Sequence, residues 1–382
     1  MFRCRPFFNI NKTGNTLTIN TTIPQHLYKN AGIKLNTPGF AITNQTNVCT
    51  LSTNGYCLFP ISDSQNKSIT ITGPNTNFTI SLCLNGSAAL SCQEYQIKKN
   101  QLAYIANYND NSVSVCAINS STGLLSNCLR TGSGFSRPSD IILNTSGTRA
   151  YIANYQGNTV SVCTVSSENG QLNDCHNAGS FDSPQGIALN ANNTLAYVTL
   201  DCDDSISMCS VDSNSGILNN CTSTDYTDFD YPSDIVLDKK NAYAYIPNRG
   251  DGTVALCAID QQTGIILQCA DSGLGAVFNN PEGLSLNADG TLLYVGNDGN
   301  NQVTFCAVDQ INGTLSNCNL TGATFDGFGN LTLDNTNTYA YVPNATSNTV
   351  SVCSVQKSTG ELIGCVDSGG TGFGGPSSIA LN

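Results

Sequence analysis

The chain has 382 residues, 18 of them Cys, with only 11% charged residues, two His and no Trp. A net charge of −12 without any basic run argues against a nucleic-acid partner, and two histidines, His26 and His176, exclude catalytic schemes that need several. No apolar stretch approaches the roughly 20 residues that span a bilayer, so no transmembrane segment is expected.

The chain opens Met1-Phe-Arg-Cys4, without the roughly 7–15-residue apolar core of a signal peptide, and this implies a processed or incomplete chain. Residues 1–98 read as short β segments, among them Thr16-Leu-Thr-Ile-Asn20, Tyr56-Cys-Leu-Phe-Pro60 and Ser68-Ile-Thr-Ile-Thr72, separated by Asn, Gly and Pro turns. A small Ig-like β-sandwich with an extended N-terminal arm is expected there. The alternative is a degenerate seventh blade, because Phe78 to Cys92 echoes the last two strands of the repeat that follows.

From residue 103 to the end the chain repeats itself with a spacing of about 47 residues. One unit runs Pro138-Ser-Asp-Ile-Ile-Leu-Asn144, Ala150-Tyr-Ile-Ala-Asn154, Thr159-Val-Ser-Val-Cys163 and Gly170-Gln-Leu-Asn-Asp-Cys175. Four strand-length pieces per repeat, joined by Asn, Gly and Asp turns, predict a β-propeller blade. The first piece recurs from Pro138, Pro184, Pro232, Pro281, Phe328 and Pro376, whereas the second piece at Ala103 has none before it. Residues 376–382 are therefore expected to supply the inner strand of the blade that starts at 103. The predicted fold is all-β: a six-bladed propeller over 99–382, closed by the C-terminal strand and preceded by the sandwich over 1–98.

Twelve cysteines form six pairs of identical spacing: Cys116/Cys128, Cys163/Cys175, Cys209/Cys221, Cys257/Cys269, Cys306/Cys318 and Cys353/Cys365. With no CxxC or Cys/His clustering that would suit zinc, each pair is expected to be a disulfide across one hairpin. A hairpin centred midway, as at Thr122, would set the two Cys directly opposite each other on the third and fourth strands. Cys49/Cys57 and Cys83/Cys92 are close enough for local bridges, which leaves Cys4 and Cys202 to join the arm to the disc or one chain to another. Disulfides imply an oxidising compartment, hence an extracellular, secreted or cell-surface protein. Sequons at Asn11, Asn20, Asn77, Asn119, Asn144, Asn192, Asn312 and Asn344 agree with a glycoprotein surface.

The string Ala-Tyr-Ile-Ala-Asn154, followed by Asn158-Thr-Val-Ser-Val162 and preceded by Pro138-x-x-Ile-x-Leu-Asn144, resembles the YVTN/lactonase-like β-propeller repeats of surface and periplasmic proteins. The resemblance covers about three quarters of the chain and implies the propeller fold. It transfers no activity by itself, because propellers host unrelated functions.

Aromatics at Phe135, Phe181, Phe229, Phe278, Phe325 and Phe373 recur in one register and are expected to pack between blades. Five residues further on, Asp140, Gly186, Asp234, Gly283, Asn330 and Ser378 are expected to ring the channel. Asp140 and Asp234, with Glu282 nearby, are the weak candidates for a metal, and no cofactor is expected. The cluster Asp201-Cys-Asp-Asp-Ser205 breaks the third repeat, where Leu200 replaces the usual strand-end Asn. With no histidine in a channel position, the expected function is non-catalytic: an extracellular structural or adhesive protein, the subunit of a filament or another assembly of copies of itself. The alternatives are a lactonase-type propeller hydrolase and a lectin that binds surface glycans.

Overall fold

The computed structural model describes residues 101–224, 229–273 and 278–382, and of residues 1–100 the strand pairing alone. Contacts divide the chain into two compact units, residues 1–100 with 166–170 and residues 101–165 with 171–382. Backbone pairing in residues 1–100 gives one four-stranded and one five-stranded antiparallel sheet. The expected Ig-like packing of that region, and the choice between it and a seventh blade, lie outside the described residues.

In the second unit the described residues form six four-stranded antiparallel sheets, and there is no helix among them. Five sheets take their strands in chain order, such as Pro138–Leu143, Arg149–Asn154, Thr159–Val165 and Leu172–Ser180. The sixth is assembled from both ends of the unit: Pro376–Leu381 pairs with Leu102–Asn107, which continues to Ser112–Ile118 and Leu125–Thr131. Ala103 faces Leu381, and Ile105 faces Ile379. This is the closure that the missing first piece predicts.

The second strand of each blade is buried on both faces, which explains its unbroken apolar run. Its Tyr is the largest core side chain: Tyr104, Tyr151, Tyr197, Tyr245, Tyr294 and Tyr341 are all less than 2% exposed. Such a phenol needs a buried partner. Tyr197, Tyr245, Tyr294 and Tyr341 each donate to the carbonyl of a hairpin glycine in the next blade, Gly264, Gly313, Gly360 and Gly123, at 2.6–2.9 Å. Those glycines have φ of +72° to +86°, and a Cβ on Gly123 would lie 2.8 Å from Val352. The six repeated Phe residues, 4–9% exposed, wedge between blades as expected. The repeated Tyr are therefore core residues and give the lectin alternative no glycan-binding surface.

All six spaced Cys pairs are disulfides within one blade, joining its third and outer strands with Cα atoms 3.9–4.1 Å apart. The expected direct opposition, however, holds only for Cys257, which faces Cys269. It is corrected at Cys116/Cys128, Cys163/Cys175, Cys209/Cys221, Cys306/Cys318 and Cys353/Cys365, where the register shifts at the bridge. The physical reason is the residue before each of these outer Cys, which has positive φ: Asn127 before Cys128, Asp174 before Cys175, Asn220 before Cys221, Asn317 before Cys318 and Gly364 before Cys365. That bulge sets two residues against one Cys and twists the outer strand, which helps to keep an exposed edge from pairing with another chain. It also makes the two halves of each bridge unequal. Cys116, Cys163, Cys209, Cys306 and Cys353 are fully buried, whereas Cys128, Cys175, Cys318 and Cys365 are half-buried and Cys221 is exposed. Replacing Cys257 and Cys269 together with Ala is expected to lower stability by about 3 kcal/mol, measured by denaturant unfolding.

Candidate functional site

The expected channel ring is packed rather than open. Asp140, Asp234, Asn330 and Ser378 are at most 8% exposed, and adjacent inner strands touch at the glycines between them. A Cβ on Gly186 would lie 2.6 Å from the Asp234 Cα, and one on Gly283 would lie 2.6 Å from the Asn330 Cα. Asp140 Oδ1 accepts from the Ile141 N–H at 2.8 Å and the Ser378 hydroxyl at 2.6 Å, and Oδ2 accepts from the Ile187 N–H at 2.9 Å. Asp234 repeats this toward the next blade, accepting from the Ile235 and Leu284 N–H groups at 2.7 Å each. Burial pushes both carboxyls up, and the Asp140 charge raises Asp234 further. These acids tie blade to blade. Asp140→Ala, which strands three donors, is expected to cost about 3 kcal/mol or more, read as a fall in Tm.

At the entrance to the inner strands the repeat becomes variable. The first residue after each second strand is Tyr108, Tyr155, Asp201, Arg249, Asp298 or Ala345, and the second residue of each inner segment is Ser139, Gln185, Ser233, Glu282, Gly329 or Ser377. Nine of these twelve positions, together with Phe328 and Asn330, line a polar cavity of about 220 Å³. The strand-end Asn fixes the loops around it: Asn154 Nδ2 reaches Ser161 Oγ at 2.8 Å, while its Oδ1 accepts from the Ser136 N–H at 3.2 Å. Leu200 takes that place in the third blade, beside Asp201. In the fifth blade Gly296 makes room for Phe328, whose ring would lie 2.6 Å from a Cβ there.

Charge in the cavity centres on Arg249, whose Nη2 lies 3.0 Å from Asp201 Oδ1. Its guanidinium also stands 5.9 Å from the centre of the Tyr231 ring. The Tyr155 hydroxyl donates to Asp201 Oδ2 at 3.3 Å. Burial, with the charge of Asp201 and the thiol Cys202, pushes Tyr155 up to about 12, so it remains a neutral donor. Burial raises Asp201 as well, with partial relief from Arg249. Burial and then the Asp298 charge push Glu282 up to about 7, against the pull of Arg249. Glu282 is thus a carboxyl that exchanges its proton near neutrality, in a cavity with one guanidinium.

Of the acids expected as metal candidates, only Glu282 reaches the cavity. Among the described residues no group of three His, Cys, Asp or Glu side chains is placed to hold a metal ion. His176 is exposed on an outer strand, with Nδ1 2.9 Å from its neighbour's carbonyl, Asp174 O. Cys202 forms no disulfide among the described residues, and Cys4, its expected partner, lies outside them, as do His26, Cys49, Cys57, Cys83, Cys92, Asn11, Asn20 and Asn77. Asn119, Asn192 and Asn312 are exposed. Asn144 and Asn344 are held in place: Asn144 caps its own turn at Thr148, and Asn344 Nδ2 bonds Ser351 at 2.9 Å.

The fold and the cavity define a β-propeller with a polar, acid-bearing pocket at the mouth of its axis. The chain belongs to the lactonase family described as "Lactonase, 7-bladed beta-propeller", whose model matches residues 74–189 and 179–324. Six blades stand among the described residues; residues 74–100 of the match lie outside them. No curated protein matches the chain. Among solved structures, a candidate 6-phosphogluconolactonase from Bacteroides fragilis aligns with 94% of this chain and 99% of its own, at TM-score 0.54 and 16% identity. The periplasmic gluconolactonase PpgL of Pseudomonas aeruginosa aligns with 74% and 98%, at TM-score 0.54 and 16% identity. A chain of a nidogen/laminin complex aligns with 74% and 98%, at TM-score 0.55 and 14% identity. At such identities these structures show the shared fold alone.

Family membership overturns the expectation of a non-enzyme and favours the hydrolase alternative over a structural or adhesive role. That expectation went astray by searching for histidines and for acids deep in the axis. The deep acids, although also raised by burial, serve the fold, and the acid that meets the cavity with a pKa of about 7 stands one residue ahead of them along the inner strands. The six disulfides belong to an oxidising compartment. Among the described residues no helix is long and apolar enough to cross a membrane.

Proposed function

We propose that the chain is an extracytoplasmic hydrolase that opens lactones at the mouth of the propeller. The observation that carries this reading is Glu282, whose carboxyl changes protonation near pH 7 beside Arg249 in a cavity large enough for one small ring. A lactone is opened by water, and the reaction needs a base for that water and a donor for the charge that develops on the carbonyl oxygen. The Glu282 carboxylate takes a proton from water as the oxygen attacks the carbonyl carbon. The negative charge passes to the carbonyl oxygen, where the N–H groups of Arg249 not used by Asp201 stabilise it. When the oxyanion collapses, the bond to the ring oxygen breaks, and Glu282 returns its proton to that oxygen. The product is an open-chain hydroxy acid, and the enzyme regains its starting state.

Hydroxyls and amides of Tyr108, Asn109, Ser139, Gln185 and Ser377 supply donors and acceptors for a polar ring, and Phe328 supplies a flat apolar wall. The test is hydrolysis of a panel of lactones by the purified chain, followed by pH titration of the released acid. Turnover is expected to rise with pH through about 7, where Glu282 becomes the carboxylate. Absence of turnover on every γ- and δ-lactone tried would refute the reading.

A further inference from the structure

We infer that the cavity selects an uncharged, hydroxyl-bearing lactone and rejects anionic ones, and that Asp201 sets this preference by occupying Arg249. The inference rests on the hydrolase reading and adds the substrate's charge to it. Arg249 is the one cation among the residues lining the cavity, and a lone guanidinium ordinarily marks a carboxylate or phosphate subsite. Here its charge is already matched. Asp201, with a side chain only 5% exposed, holds it at 3.0 Å and is itself held by the Tyr155 hydroxyl at 3.3 Å. An incoming anion would have to displace a buried carboxylate from its partner and leave that charge uncompensated.

The surrounding charge points the same way. Glu282 lines the cavity, Asp298 is close enough to raise it, and loops of the same face carry Asp203, Asp204, Asp230, Asp251 and Asp326. Among the described residues, two further guanidiniums stand against them: Arg130 is paired with Asp110, and Arg137 lies 5.4 Å from the centre of the Tyr108 ring. Such a mouth repels anions over several ångströms. It discriminates by repulsion as well as by contact. The same field acts on the product. Opening an uncharged lactone creates a carboxylate, so catalysis turns a tolerated ligand into a repelled one, and release is assisted.

The test measures binding apart from turnover. Equilibrium dialysis with glucono-δ-lactam, an uncharged ring that does not hydrolyse, is compared with gluconate and gluconate 6-phosphate. The wild type is expected to bind the lactam at least about a hundredfold more tightly than either anion, and about 0.5 M NaCl to narrow that gap. Asp201→Asn, which frees Arg249, is expected to tighten both anions at least about tenfold. Anion binding as tight as lactam binding in the wild type, or a gap unmoved by both salt and the substitution, would overturn the inference. Discrimination without turnover of any lactone would instead sustain the inference about charge and remove the hydrolase reading.

Discussion

Glu282→Gln is expected to lower kcat/KM for lactone hydrolysis by about 10²–10⁴-fold while making the protein more stable at alkaline pH. The amide keeps the size and hydrogen-bonding ends of the side chain but cannot take the proton from water. The stability gain follows from linkage. Glu282 has a folded pKa of about 7, above its ordinary 4.5, so the folded state binds the proton more tightly than the unfolded state. Its contribution to stability is therefore full below pH 4.5 and is lost as pH rises to about 7. Since solvent still reaches part of this side chain, the loss at alkaline pH is set at about 2 kcal/mol. Gln carries no such charge, so Tm of the variant should exceed that of the wild type at about pH 8 and match it at about pH 4. Loss of activity together with lower stability at both pH values would mark Glu282 as structural.

Deleting residues 376–382 is expected to remove most of the stability of the propeller, more than about 5 kcal/mol, which for many domains is the whole margin. The deletion strips the inner strand from one blade and exposes the backbone of Leu102–Asn107. It also takes away the Ser378 hydroxyl on Asp140, the Ser377 hydroxyl on the Pro138 carbonyl at 2.7 Å, and the Asn382 Oδ1 that accepts from the Leu102 N–H at 2.9 Å. A synthetic heptapeptide of sequence PSSIALN should restore part of the cooperative unfolding transition by strand addition. Unfolding of the truncated chain indistinguishable from that of the full one would contradict the closure.

Most of the propeller is legible in the sequence because its physics is periodic. Each blade places Tyr in the core, Gly at a positive-φ hairpin position and Cys across the outer hairpin, so six copies of one pattern report six copies of one environment. The bulge that displaces Cys128, Cys175, Cys221, Cys318 and Cys365 from direct opposition is also written there, in the Asn, Asp or Gly before each of them. It reads as composition until the register is seen. Gln268, before Cys269, is the exception, and that pair alone stays in register. The site is harder to read for the opposite reason. Tyr108, Tyr155, Asp201, Arg249, Asp298 and Ala345 share one structural position and almost no chemistry, so a search for what recurs passes over them. Their signal is variation at a fixed register between constant neighbours. Glu282 stands out in the sequence only as an acid near the axis, since its shifted protonation depends on burial and on Asp298 and Arg249, which lie in other parts of the chain.

The disulfides have a consequence for how the molecule is made. Each joins residues 12 apart in sequence and stays within one hairpin. A cysteine entering an oxidising compartment therefore meets its correct partner after one short loop, before any distant cysteine is within reach, and the many wrong pairings open to twelve thiols are avoided by proximity. Ring closure is the contrary case, since it joins Leu102 to Asn382 across 280 residues. The chain should thus oxidise early, hairpin by hairpin, and close late, and its slow folding phase should persist unchanged when the disulfides are formed beforehand.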